Sequence, residues 1–289
     1  MRMWSDVEYV YRCLADGERT NAFRDAIEMA VKPGDVVLDL GSGSGIMAVL
    51  AARAGAAQVF AIEGGKYLGQ ASRQVFDDSG YGSKITSICI DARKVDASCV
   101  PKPDVVICEM ITTGLIGEMQ VPVMKALRAS GLIDDRTHIV PAAISTSIAL
   151  VQTDFQMFGL DFRFPRFVDY FSKSFEQDLT PLSPAECVHK VNFSGELIDI
   201  VNIDTTTHIT NSGRVNGLLL SSTTSFHGGS TLGKTISYCQ PVILPLRPEI
   251  CASRDETMRV RVGYRMGWGF DSLKYAVRQV SRQKGPRRS

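Results

Sequence analysis

The chain has 289 residues, 44% of them hydrophobic, with 32 Lys and Arg against 31 Asp and Glu for a formal net charge of +1. That length and apolar content suffice for two cores, and the balanced charge gives no footprint for nucleic acid. The longest apolar runs, such as residues 46–52, fall well short of the roughly 20 residues that span a bilayer, and no basic-then-apolar leader opens the chain, so no membrane association and a cytoplasmic location are expected.

From residue 15 to about 141 the pattern alternates helix and strand, which predicts a parallel sheet covered by helices on both faces. Residues 21–30 read as a helix stopped before Pro33-Gly34, 36–40 as the first strand, and 46–54 as a helix of small residues ended by Gly55. A second strand ends at Glu63, a polar-faced helix covers 66–79, strands follow at 85–90 and 104–108, and a helix is expected over 114–129. After Pro141 the texture changes to β-branched runs at 144–151, 197–203, 215–225, 236–246 and 258–264, an antiparallel β domain. The division predicted is therefore 1–140 and 141–289, with an excursion from the sheet at about 158–187 that reads as short helices. Seven cysteines are scattered without Cys-x-x-Cys spacing, which argues against a metal site or a disulfide framework, and Cys89 and Cys108 are expected to pack as small buried hydrophobes.

The densest chemical signal is Val37-Leu38-Asp39-Leu40-Gly41-Ser42-Gly43-Ser44-Gly45, an apolar strand running into three alternating glycines and then a helix. Each glycine costs roughly 0.5–1 kcal/mol relative to Ala, so a backbone turn or a close ligand should offset it. The spacing differs from the Gly-x-Gly-x-x-Gly of dinucleotide sites. Asp39 two residues before the glycines and Glu63 at the end of the next strand add two acids, the second spaced to accept from ribose hydroxyls, and together they point to S-adenosylmethionine.

A second constellation follows strand four, where Glu109 ends a nearly wholly apolar run and Glu118 lies nine residues on. One continuous helix would point the two carboxylates to opposite sides; they converge only if residues 110–114 form a loop at the carboxyl edge of the sheet. An unpaired carboxylate at the end of a buried strand is costly, and a cationic substrate would relieve that cost.

Four stretches in order, Leu14-Ala15-Asp16-Gly17-Glu18-Arg19-Thr20, residues 37–63, Cys108-Glu109 to Glu118, and His138-Ile139-Val140-Pro141, give a chain that resembles the protein arginine methyltransferases over nearly its whole length. The resemblance implies an α/β fold: a doubly wound Rossmann-like domain binding S-adenosylmethionine, then a β-barrel-like domain with an inserted dimerisation arm, assembled as a homodimer. It implies Glu109 and Glu118 as the catalytic pair that holds a guanidinium. Arg19, Asp39, Gly41, Ser42, Gly43, Gly45, Glu63, Gly64, Asp91, Ala92 and Glu109 would meet the cofactor, Arg19 at its carboxylate and Glu63 at its ribose. Pro141 matches a proline that is often cis. The product would be S-adenosylhomocysteine, and the partner an arginine-containing peptide or protein, or a small guanidino substrate.

The chain departs from that family's pattern in two places. Its Thr-His-Trp loop matches Thr231-Leu232-Gly233-Lys234, without histidine or tryptophan, and its Trp-Met-Gly-Tyr becomes Met110-Ile111-Thr112-Thr113. His227 is a candidate substitute for the histidine, though a polar turn is the simpler reading, and Trp4, Tyr9 and Tyr11 are candidate aromatics over the cofactor. These changes keep methyl transfer and leave three readings: a guanidino acceptor, a non-guanidino small molecule, or a cofactor-binding scaffold of weak activity. The basic tail Arg278, Arg282, Lys284, Arg287 and Arg288 reads as a solvated end.

Overall fold

The computed structural model describes residues 6–168 and 179–280. Helices α1 (Val7–Ala15) and α2 (Gly17–Ala30) are separated by Asp16, whose extended backbone and carboxylate cap α2 by accepting from Arg19 N at 3.2 Å. This cap starts α2 four residues before the expected position and places Arg19 in its first turn. The order then runs β1 (Val36–Leu40), α3 (Ile46–Ala54), β2 (Gln58–Ile62), α4 (Lys66–Asp78), β3 (Ile85–Ile88), β4 (Val105–Cys108), α5 (Gln120–Ala129) and β5 (His138–Val140).

The five strands form one parallel sheet in the order β3-β2-β1-β4-β5. Strands such as Val-Val-Ile-Cys of β4 are buried at every position, as a sheet covered on both faces requires. Ala48, Ala51 and Ala52 let α3 lie close against it. The strand order reverses direction between β1 and β4, so the segments leaving their carboxyl ends frame a crevice.

The helix expected over 114–129 begins only at Gln120. Gly114 and Leu115 take left-handed backbone, φ 66° and 56°, inside a single 3-10 turn at Thr113–Leu115. Tertiary bonds hold that shape: Gly114 N donates to Ser222 Oγ at 2.9 Å, and Tyr264 OH donates to the Gly114 carbonyl at 2.7 Å. Cys89 is exposed rather than buried, because β3 ends one residue before it, whereas Cys108 is buried in β4.

The Val140–Pro141 peptide is cis, and beyond it every sheet is antiparallel. The strands are β6 (Ala143–Gln152), β7 (Gln156–Met157), β8 (Leu160–Asp161), β9 (Arg166–Phe167), β10 (Thr180–Pro181), β11 (Glu186–Asn192), β12 (Ile200–His208), β13 (Gly213–Ser225), β14 (Thr231–Leu232), β15 (Val242–Ala252), β16 (Thr257–Arg265) and β17 (Lys274–Gln279). β10-β6-β13-β15-β9 form a curled sheet, joined by β11 on β6 and β14 on β13, while β12-β16-β17 form a second. The described part of the 158–187 excursion holds short strands where short helices were expected, and residues 169–178 of it lie outside the described residues. β15 starts at Val242 instead of 236, which releases residues 235–241 to leave the sheet. Phe23 of α2 packs edge-on against Phe226 and Tyr238, with centroids 5.1 and 6.0 Å away, so the parallel and antiparallel halves share one core.

Gly45 is the N-cap of α3 at φ 83°, and a Cβ there would run into the buried ring of Phe76. Gly45→Ala is therefore expected to destabilise the fold by about 2–4 kcal/mol, left-handed strain added to overpacking, measured as a lower urea midpoint at unchanged slope.

Candidate active site

A cleft of about 800 Å³ opens at the carboxyl ends of β1 and β4. Of the residues singled out from the sequence, Arg19, Asp39, Gly41, Ser42, Gly43, Glu63, Gly64, Asp91, Ala92, Glu109 and Glu118 line it; Gly45 does not, its place being the cap of α3. Gly41 and Gly43 turn the chain at φ 71° and 52°, and a Cβ on Gly41 would sit 3.1 Å from Met110 Cγ. Glu63 fastens the turn, accepting from Gly43 N at 2.9 Å and Gly65 N at 2.6 Å. Asp91 caps the next short turn by accepting from Arg93 N at 3.0 Å.

Asp39 Oδ2 and Ser42 Oγ are buried on the cleft wall without a hydrogen-bond partner. Burial of Asp39 pushes its carboxyl up to about 7, against the backbone hydrogen bond from Ala48. Orphaned buried polar atoms beside a side-chain-free turn fit a ligand that brings hydroxyl and amino groups, as a nucleoside with an amino-acid tail does.

At the other end, Glu109 and Glu118 converge through the loop that the sequence required. Arg19 forms an ion pair with Glu109 and donates from Nη1 to the Cys13 carbonyl at 3.0 Å. Glu118 Oε2 is buried with no partner. Burial raises the Glu118 carboxyl well above the usual carboxylate range, the neighbouring Glu109 raises it further, and Arg19 offsets this only in part. Glu109 is also raised, by burial, with Arg19 pulling it back.

The loop owes its shape to the antiparallel half. Besides the two bonds to Gly114, Thr113 Oγ1 donates to the Gln240 carbonyl at 2.7 Å, Gly267 N to the Leu115 carbonyl at 2.9 Å and Gly269 N to the Ile116 carbonyl at 2.8 Å. Within the first half, Gln120 Oε1 accepts from Met110 N at 3.0 Å.

The antiparallel half lines the cleft through Gly267 and Trp268, not through the expected Thr231 to Lys234, while its segment 235–240 braces Asp16 and Thr113 from behind the lining. Thr231 and Leu232 are tied up as β14, paired with Ser225 and Thr224. Thr235 Oγ1 and Ser237 Oγ and N donate to Asp16, the last two at 2.7 and 3.0 Å. Burial alone would raise the Asp16 carboxyl, but these bonds hold it below its ordinary value. His227 stacks edge-on against His138 at 5.7 Å, away from the cleft lining.

Of the candidate aromatics, Tyr9 lines the cleft, Tyr11 is exposed, and Trp4 lies outside the described residues. Burial first, then Glu118, pushes the Tyr9 phenol upward. Cys13, Met119 and Trp268 also line the cleft, and no motif in the sequence marks them. Cys13 is legible by periodicity, since Tyr9, Val10, Cys13 and Leu14 share one helical face; Trp268 is not, its place being set by long-range pairing.

Residues 18–156 match the model of the ribosomal protein L11 methyltransferase (PrmA) family. The chain is 27% identical over 270 residues to an uncharacterised protein of Methanocaldococcus jannaschii, covering 92% of this chain and 95% of that one. It is 35% identical over 146 residues to an arginine N(omega)-methyltransferase of Streptomyces achromogenes subsp. streptozoticus, covering 50% of this chain but only 40% of that enzyme. In fold it matches the PRMT1 enzyme–prozyme heterotetrameric complex of Trypanosoma brucei with AdoHcy, at TM-score 0.78 and 17% identity, over 97% of this chain and 95% of that one. Among the described residues no helix is long and apolar enough to cross a membrane.

The buried acids set a pH dependence. An unfolded Asp ionises near about 4, whereas Asp39 in the fold keeps its proton up to about 7. Its stabilising contribution is thus fully present below about pH 4 and is lost as pH rises through about 7. Urea midpoints of the ligand-free protein compared with Asp39→Asn should show the wild type losing ground to the variant across that window.

Proposed function

We propose that this chain, an S-adenosylmethionine-dependent N-methyltransferase with the fold of the protein arginine methyltransferases, transfers the methyl group to a guanidino nitrogen of arginine held between Glu109 and Glu118. The observation that carries the reading is the charge at that site: two carboxylates against one buried guanidinium, which pairs with the partly buried Glu109 and leaves one oxygen of the buried Glu118 without a partner. A second guanidinium brings the missing charge and the missing donors, and lets Glu118 ionise.

Asp39, Gly41, Ser42, Gly43, Glu63, Gly64, Asp91 and Ala92 would hold the cofactor, with Arg19 at its carboxylate end and Gly45 acting from behind as a cap. Bound there, the cofactor supplies an electrophilic methyl group on a sulfonium. A guanidinium is protonated at any cellular pH and its lone pairs are delocalised, so it is a poor nucleophile. Glu109 and Glu118 orient the planar fork through charge-assisted hydrogen bonds and draw its positive charge toward themselves, which leaves one terminal nitrogen richer in electrons. Forming the nitrogen–carbon bond would break the sulfonium's bond to that methyl, leaving S-adenosylhomocysteine, and would require the nitrogen to give up a proton. Glu118, whose affinity for a proton is already raised by its surroundings, is placed to take it. Alignment supplies the larger part of the rate, on the order of 7–11 kcal/mol for well-oriented reactants.

Glu118→Gln keeps the size of the side chain and removes its charge. Turnover should fall by roughly 10²–10⁴, with adenosylhomocysteine affinity by calorimetry within about twofold of wild type. Unchanged turnover would overturn the assignment. A panel of free arginine, arginine peptides, small guanidino compounds, amines and hydroxyl compounds, offered with labelled cofactor, should place the label on guanidino nitrogen; label confined to amines or hydroxyls would favour the non-guanidino acceptor instead.

The excursion supports self-association. Met157, Phe158, Leu160, Phe162 and Phe164 are all exposed, Phe158 to 97%. We expect a head-to-tail homodimer by light scattering, and Phe158→Asp should shift it to monomer.

A further inference from the structure

The cleft lining among the described residues contains two aromatic rings, Tyr9 from α1 and Trp268 from the turn between β16 and β17. That turn is packed flush on the acceptor loop. Gly267 and Gly269 donate their N–H groups to the Leu115 and Ile116 carbonyls, and a Cβ on Gly267 would lie 3.2 Å from the Glu118 carbonyl oxygen and 3.0 Å from Met119 Sδ. Trp268 is therefore positioned by the same backbone that positions Glu118. Its ring is held by a cation: the Arg265 guanidinium lies 4.5 Å from the indole centroid, and Asp199 fixes that arginine through Nε at 2.7 Å while accepting from Lys125 Nζ at 2.6 Å. Even so, 57% of Trp268 is exposed at the rim of the cleft.

We propose that Trp268 is the aromatic wall of the acceptor site, setting its preference for a planar guanidinium over an ammonium. This rests on the reading of Glu109 and Glu118 given above. Carboxylates alone attract any cation, and in open water they do so weakly. An indole beside them excludes water from one side and receives a planar, weakly hydrated cation better than a compact ammonium. The stacked Arg265 shows that this ring accepts a guanidinium in this protein. Trp268 thus supplies, from the last hairpin, an aromatic surface that neither Met110-Ile111-Thr112-Thr113 nor the 235–240 segment provides apart from Tyr238, whose ring is buried in the core.

The test separates the wall from the reading beneath it. Wild-type turnover of L-arginine or a short arginine peptide is measured first; its absence overturns the guanidino assignment and the wall together. With turnover present, Trp268→Ala should raise the acceptor KM roughly tenfold, keep kcat within about threefold and leave adenosylhomocysteine affinity unchanged, and Trp268→Phe should recover most of the loss. An unaltered acceptor KM in Trp268→Ala overturns the wall and leaves the assignment standing. Because the chain has two tryptophans, Trp4→Phe makes Trp268 the single emitter. With adenosylhomocysteine bound, L-arginine should change its fluorescence and methylamine should not; equal responses to both would also overturn the preference.

Discussion

Two acids and one base crowded at one end of a cleft is the constraint around which the molecule is organised. Arg19 neutralises Glu109, and Glu118 is left with a raised proton affinity and an unused oxygen. No packing of apolar side chains relieves such a site, because the cost is one of unpaired charge. The fold keeps it in place from three directions. α2 brings Arg19, capped by Asp16; β4 brings Glu109; and the left-handed turn at Gly114 and Leu115 swings Glu118 back toward it. The helix cap and the turn are then fastened by polar contacts to the antiparallel half.

Those fastenings explain why the second half of the chain matters to chemistry lodged in the first. Asp16 is held by Thr235 and Ser237, and the loop carrying Glu118 by Ser222, Gln240, Tyr264, Gly267 and Gly269. The contacts are hydrogen bonds from short side chains and backbone, which fix geometry more tightly than apolar contact and fail if a residue is displaced by an ångström. The glycine turn, by contrast, is governed within the parallel sheet by Glu63 and its bonds to Gly43 and Gly65.

Much of this architecture is legible in the amino-acid sequence. The α/β alternation, the antiparallel texture after Pro141 and the S-adenosylmethionine cofactor all stand, because each rests on local pattern: apolar runs of fixed length, glycines in alternation, acids at strand ends. Where the pattern misleads, the cause lies far away in the chain. Residues 114–119 continue the apolar pattern of α5 despite two glycines, and bonds to Ser222, Tyr264, Gly267 and Gly269, more than a hundred positions on, keep them out of it. The 235–240 segment reads as strand for the same reason, its β-branched residues outweighing a tertiary demand invisible in the pattern. Trp268 stands among glycines in what looks like an idle turn, and only β-pairing brings it beside Glu118.

The separate anchoring of the two ends of the cleft also bears on how such a protein can change over generations. Substitutions in the hairpins that grip the acceptor loop can reshape that end while the glycine turn, secured within the parallel sheet, goes undisturbed. A fold divided in this way can alter one end of its cleft while the other keeps its shape.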